Sequence, residues 1–188
     1  MDLPITVAFF VYHYANLKML SFVYDFLKHY LRPGSFQMVC SDTDSILSAY
    51  ESKNLDDLVR PEVKDDYFNF GKKAFLATDA YTNRTPGLFK EDWSGIGILA
   101  LCSKTYYTWR DKASKLSSKG LSKKTNKFTQ ADYKAVLDTM QKGVGTNYGF
   151  KIGSEGIRLY KQEREGLAYL YGKRRVLADR VTTKALYR

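Results

Sequence analysis

Apolar residues recur on a helical rhythm at the start of the chain, where Ala8, Val11, Ala15, Phe22 and Phe26 predict one helix from about Pro4 to Tyr30. Asp2 is placed to cap it, Pro4 suits its first turn, and Arg32-Pro33-Gly34 stops it. The period then changes to two. Phe36-Gln37-Met38-Val39-Cys40 and Ile46-Leu47-Ser48-Ala49-Tyr50 are rich in strand formers and predict a β-hairpin, with Ser41 to Ser45 at its turn. Residues 51–66 are locally acidic and predict one or two short helices, capped at Asn54 and interrupted at Pro61, with a solvated acidic face. Thr82-Asn83-Arg84-Thr85-Pro86-Gly87 is a loop by its turn chemistry. Leu88 to Trp93 and Ile96 to Tyr107 predict an antiparallel pair joined at Ser94-Gly95. Thr129 opens a short helix to about Gln141, with Asp132 set for a variant capping box, and Gly143-Val144-Gly145 ends it. The tail alternates strand-like segments at 149–152, 157–163, 167–171 and 175–177 with turns at Gly153-Ser154, Gly166 and Gly172. This order of elements is α+β.

The densest candidate chemistry lies in Ser41-Asp42-Thr43-Asp44-Ser45-Ile46. Side chains at i and i+2 of a strand point to one side, which would bring Asp42 and Asp44 together. Carboxylates that close repel unless a cation or a proton intervenes. Three readings stay open on these residues. The first is an Asx-type turn, since Asp and Ser bond their own backbone. The second is the Asp-x-Asp-x-Thr/Val signature of haloacid-dehalogenase-type phosphotransferases, which Asp42, Asp44 and Ile46 approach but which calls for a parallel βα sheet. The third is the Asp-Thr-Asp-Ser motif of family B DNA polymerases, carried at the tip of a palm hairpin.

Composition narrows the partners. With 188 residues the default is one core, or a core and a small appendage. A formal charge of +10 and a pI near 9.4 point to a polyanion, nucleic acid first. Between Lys104 and Lys127 there are eight basic residues (Lys104, Arg110, Lys112, Lys115, Lys119, Lys123, Lys124 and Lys127) and one acid, Asp111. Tyr106, Tyr107, Trp109 and Phe128 lie among or beside them, the mixture that suits phosphates and bases, against the blander reading of a flexible solvated loop. Cys40 and Cys102 lie in apolar runs and make neither a disulfide framework nor a zinc site, and His13 and His29 have no ligand-type neighbours in sequence. Leu3 to Ala15 lacks the basic flank of a signal peptide, and no apolar stretch reaches the ~20 residues that span a bilayer. A soluble, intracellular protein is expected.

The landmarks also fall in an informative order: a helix, the Asp42-Thr43-Asp44-Ser45 hairpin, Lys104-Thr105-Tyr106 about sixty residues on, then Ser118-Lys119-Gly120. With Arg84-Thr85-Pro86-Gly87-Leu88-Phe89-Lys90, Ala100-Leu101-Cys102-Ser103 and Tyr171-Gly172-Lys173-Arg174-Arg175-Val176-Leu177, this resembles the C-terminal palm and thumb region of protein-primed family B DNA polymerases of Polinton/Maverick-type transposons and related viruses. The resemblance covers nearly the whole chain. It implies an antiparallel palm-type sheet with the long helix packed on it over residues 1–110, and a basic loop and thumb-like extension over 111–188. By the same resemblance Asp42 binds catalytic Mg²⁺, Asp44 supports it or ligates it, and Thr43 sets the turn. Lys104 and Tyr106 contact the primer-template, and Lys119 touches the DNA backbone. The implied partners are DNA primer-template, dNTP, an N-terminal polymerase portion and a terminal protein primer, with a nuclear setting in a eukaryotic host.

Such enzymes take a second essential aspartate from an upstream strand and a nucleotide-binding lysine from a fingers helix with a Lys…Asn-Ser-x-Tyr-Gly pattern. This sequence has neither, so its two-metal site is completed by residues outside it. The chain alone is expected not to polymerise DNA, and the alternative is a non-catalytic DNA-binding remnant. Apolar surface on the first helix is expected to stand exposed.

Overall fold

The computed structural model describes residues 4–169 and 174–185. The fold is α+β, and among the described residues its strands form four separate antiparallel sheets. The chain divides into two compact units, Met1–Ser94 and Gly95–Arg188. Asp2 and Tyr171-Gly172-Lys173, the start of the segment Tyr171 to Leu177 singled out in the sequence, lie outside the described residues.

In the first unit helix α1 spans residues 5–30, as a regular helix (Ile5–Ser21), a π-helical stretch (Phe22–Leu27) and a final turn (Lys28–Tyr30). Arg32-Pro33-Gly34-Ser35 then reverses the chain. Gly34 takes φ +85° and the Ser35 N–H donates to the Arg32 carbonyl at 3.1 Å, with Pro and Gly in the places a type II turn favours. The two ends of α1 behave differently. Phe22, Phe26, Leu27 and Tyr30 are buried, whereas Ile5, Val7, Phe9, Phe10, Val11, Tyr12 and Tyr14 are all more than half exposed. Among the described residues no helix is long and apolar enough to cross a membrane.

Helix α2 (residues 61–75) follows a 3₁₀ turn at Leu55–Leu58 capped by Asn54, whose Oδ1 accepts from the Asp56 N–H at 3.1 Å. It runs nine residues past the expected helical stretch. Its Tyr67 stacks on Phe26, and Phe22, Phe26, Phe75 and Phe89 complete an aromatic core with ring centroids 4.0 to 6.4 Å apart. The acidic segment 51–66 is more than a solvated face. The buried Tyr30 hydroxyl donates to Asp66 at 2.5 Å, and the buried Tyr67 hydroxyl donates to Asp56 at 2.8 Å. Lys72 donates to both oxygens of the same Asp56. A phenol interior to a core needs an acceptor, and these two aspartates supply it.

In the second unit β3 (Gly97–Cys102), β4 (Thr105–Arg110) and β5 (Ala113–Ser117) form a meander. This corrects the expected pairing of Leu88–Trp93 with Ile96–Tyr107. The second of those runs folds on itself at Ser103-Lys104, and the first makes only a bridge from Phe89 to Leu76 within the first unit. Ser103-Lys104 contains no Gly or Pro, so the reversal left no mark in composition. Gly97 pairs with Trp109 and has no side chain because the indole lies over it; a Cβ there would fall inside the ring. Trp93, the other tryptophan, belongs to the first unit.

Helix α3 (Gln130–Thr139) packs on β3 and β4 through Tyr133 and Val136. It begins with the expected capping box of Thr129 and Asp132 and ends at Met140 in the left-handed region. The glycine segment at 143–145 opens a strand rather than closing the helix. A long hairpin follows, β6 (Gly143–Gly153) with β7 (Gly156–Leu167), longer at both ends than the sequence suggested, and then the short pair β8 (Arg174–Val176) and β9 (Thr183–Ala185).

Candidate functional site

The acidic candidates sit on the hairpin of β1 (Phe36–Asp42) and β2 (Ser45–Tyr50), as the alternation predicted. A bulge at Val39 shifts the register, and the remaining pairs run to Asp42 opposite Ser45, leaving Thr43-Asp44 as a two-residue turn. Thr43 has φ +43°, a conformation a β-branched residue rarely adopts. The Asp42 carbonyl accepts from the Asp44 N–H at 2.5 Å and from Ser45 Oγ at 3.2 Å, and Thr43 Oγ1 donates to Asp42 Oδ1 at 3.1 Å. Strand alternation therefore applies to Asp42, which is half-buried at the end of β1, and stops short of Asp44, which is exposed in the turn.

Hard carboxylate and hydroxyl oxygens are what Mg²⁺ takes, but it demands about six in near-octahedral array. Among the described residues no group of three or more His, Cys, Asp or Glu could hold a metal ion. The donors at this tip fit part of a site and do not complete one.

The basic candidates lie in the second unit. Lys104 occupies the β3–β4 turn with φ +65°, Tyr106 follows in β4 opposite Ala100 and Ser117, and Lys119 is exposed on the segment after β5. Two hydrogen bonds tie the landmarks together across the sequence. Ser117 Oγ donates to the Lys104 carbonyl at 2.9 Å, and the Lys119 N–H donates to the buried Thr105 Oγ1 at 3.3 Å. Lys104-Thr105-Tyr106 and the segment Ser117 to Gly120 are thus spatial neighbours.

Beyond β5 the basic segment is a loop whose backbone is hydrogen-bonded to two asparagine side chains. Asn126 Nδ2 donates to the carbonyls of Ser122 and Thr146 at 2.9 and 2.7 Å, and its Oδ1 accepts from the Thr146 N–H at 2.7 Å. Asn147 Oδ1 accepts from the Ser122 N–H at 2.9 Å while its Nδ2 donates to the Gly120 carbonyl at 2.6 Å. Leu121, buried between them, occupies the space that side chains at Gly145 and Gly166 would fill. Apart from the local bond of Asn126 to Ser122, these contacts span twenty residues or more and gave no signal in the sequence beyond two asparagines.

Electrostatics divide along the same boundary. The first unit carries ten Lys and Arg against thirteen Asp and Glu, and the second twenty against seven. The strongest perturbations fall on buried phenols. Burial, reinforced by Asp66, pushes Tyr30 up to about 12. Tyr67 rises further by burial and then by Asp56, and Tyr133 by burial and then by Asp132.

Comparison with known protein families, with curated proteins and with solved structures returned no match.

Proposed function

We propose that the chain is a segment of a protein-primed family B DNA-directed DNA polymerase whose own contribution is to hold primer-template DNA. The observation that carries this reading is the joining of Lys104, Tyr106 and Lys119 through Ser117 and Thr105, within a unit holding twenty basic residues against seven acidic. Cations gathered on one framework neutralise phosphates and release counterions, and neighbouring aromatic rings add stacking surface. Asp42 and Asp44 would be this chain's share of a Mg²⁺ site, which in the complete enzyme serves dNTP transfer to a primer end. No catalytic step is assigned to the chain alone. The working location is intracellular, in the nucleus of a eukaryotic host, with an N-terminal polymerase portion and a terminal protein as further partners.

A second reading, a non-catalytic DNA-binding remnant, is favoured by the incomplete ligand set around Asp42 and Asp44. Both readings expect duplex binding that falls steeply with salt and weakens in a Lys104→Ala, Lys119→Ala variant, followed by fluorescence titration. Unchanged affinity in that variant at low salt would remove the assigned DNA contacts. Template-dependent dNTP incorporation separates the two readings only when an N-terminal polymerase portion is supplied. Activity lost on Asp42→Ala supports the polymerase segment, and incorporation by the chain unaided would overturn the assignment of no catalytic step.

A further inference from the structure

The loop between β5 and α3 presents Lys119, Lys123, Lys124 and Lys127 as exposed side chains, yet its backbone is held at both ends of a short span. Asn126 takes up both polar backbone groups of Thr146 on β6, in the manner of a strand edge, while Asn147 reaches back to Gly120 and Ser122. Ser118 Oγ closes the start of the loop on the Leu121 carbonyl at 3.0 Å, and the Tyr133 hydroxyl fixes Ser117 from α3 at 2.7 Å. Flexible lysines on a flexible loop lose loop entropy as well as side-chain entropy when they bind; here the loop is already ordered.

We infer that residues 118–127 form a preorganised platform for a nucleic-acid phosphate backbone, and that Asn126 and Asn147 are its positioning residues, setting where the lysines stand without carrying charge. The inference rests on the DNA-binding reading and adds to it the device that arranges the charges.

Three variants of the full chain test it: Asn126→Ala with Asn147→Ala, Lys123→Ala with Lys124→Ala and Lys127→Ala, and the five changes combined. The probe is a fluorescein-labelled DNA duplex of roughly two helical turns, titrated between about 50 and 200 mM salt. Removal of three lysines lowers the slope of log affinity against log salt by about 2 to 3. The asparagine pair weakens binding by about tenfold in the otherwise unaltered chain and by less than about twofold once the lysines are gone. An equal asparagine effect in both backgrounds marks a general loss of folding and overturns the platform. So does no effect in either. Absence of salt-dependent binding by the unaltered chain overturns the DNA-binding reading and the platform with it. A measurement needing no variant stands beside these: the Ser122 and Thr146 amides exchange slowly with solvent in the free protein, and exchange at the rate of unstructured peptide overturns preorganisation.

Discussion

The two units of this molecule solve opposite problems. The first builds an aromatic core in which Phe22, Phe26, Tyr67, Phe75 and Phe89 stack, and it turns two of its acids, Asp56 and Asp66, toward buried phenols. The second makes a smaller core from Leu101, Leu121, Tyr133, Val136 and Leu167, and extends one long hairpin and a clamped loop studded with cations. The overall charge of +10 conceals this division, since the first unit is net acidic and all of the excess basic charge belongs to the second. A polyanion partner is therefore an argument about residues after Gly95, and a cation partner an argument about the hairpin tip at Asp42.

Stability measurements can break that division. Phe26 is fully buried at the centre of the aromatic stack, so Phe26→Ala should cost about 3 to 5 kcal/mol. Hydrogen exchange resolved by segment should show the loss in α1 and α2 with β3 to β7 unchanged; an equal loss in both units would mean they unfold as one. Tyr67→Phe should cost less, about 1.5 to 3 kcal/mol, because it removes a hydrogen bond to a charged acceptor while Lys72 still holds Asp56. Chemical denaturation that leaves this variant as stable as the parent would show that Asp56 needs no phenol.

The smallest effect is a pH dependence, on the order of 1 kcal/mol. Tyr30 is raised from 10.0 to about 12 in the fold, so the unfolded chain ionises first as the solution turns alkaline. The contribution of Tyr30 is complete below pH 10 and disappears as pH rises to about 12. Denaturation midpoints compared with Tyr30→Phe should converge across that window, and parallel curves would detach Tyr30 from alkaline unfolding.

Locally encoded features were legible in the sequence. The reversal at Pro33-Gly34, the hairpin around Asp42, the Asn54 cap and the Thr129–Asp132 box each depend on residues a few positions apart. Long-range features were not. Leu88 to Trp93 is expected as a strand, but among the described residues its β-pairing is the bridge from Phe89 to Leu76, and Asp66 reads as solvated until Tyr30, thirty-six residues earlier, is found against it. At the candidate site the residue types were readable, but the bond from Lys119 to Thr105, the grip of Asn126 on β6 and the grip of Asn147, from β6, on the loop were not. Thr43 and Lys104 show a third kind of blindness, since neither residue type announces a left-handed backbone.

The indole resting on Gly97 has a practical use. With two tryptophans in the chain, one in each unit, every half owns a single indole, which excitation at the red edge of the absorption band selects over the tyrosines. Replacing Trp93 by Phe leaves indole emission from the meander alone, and replacing Trp109 leaves indole emission from the acidic half alone. The melting of either half then becomes visible by its own light, with no attached dye.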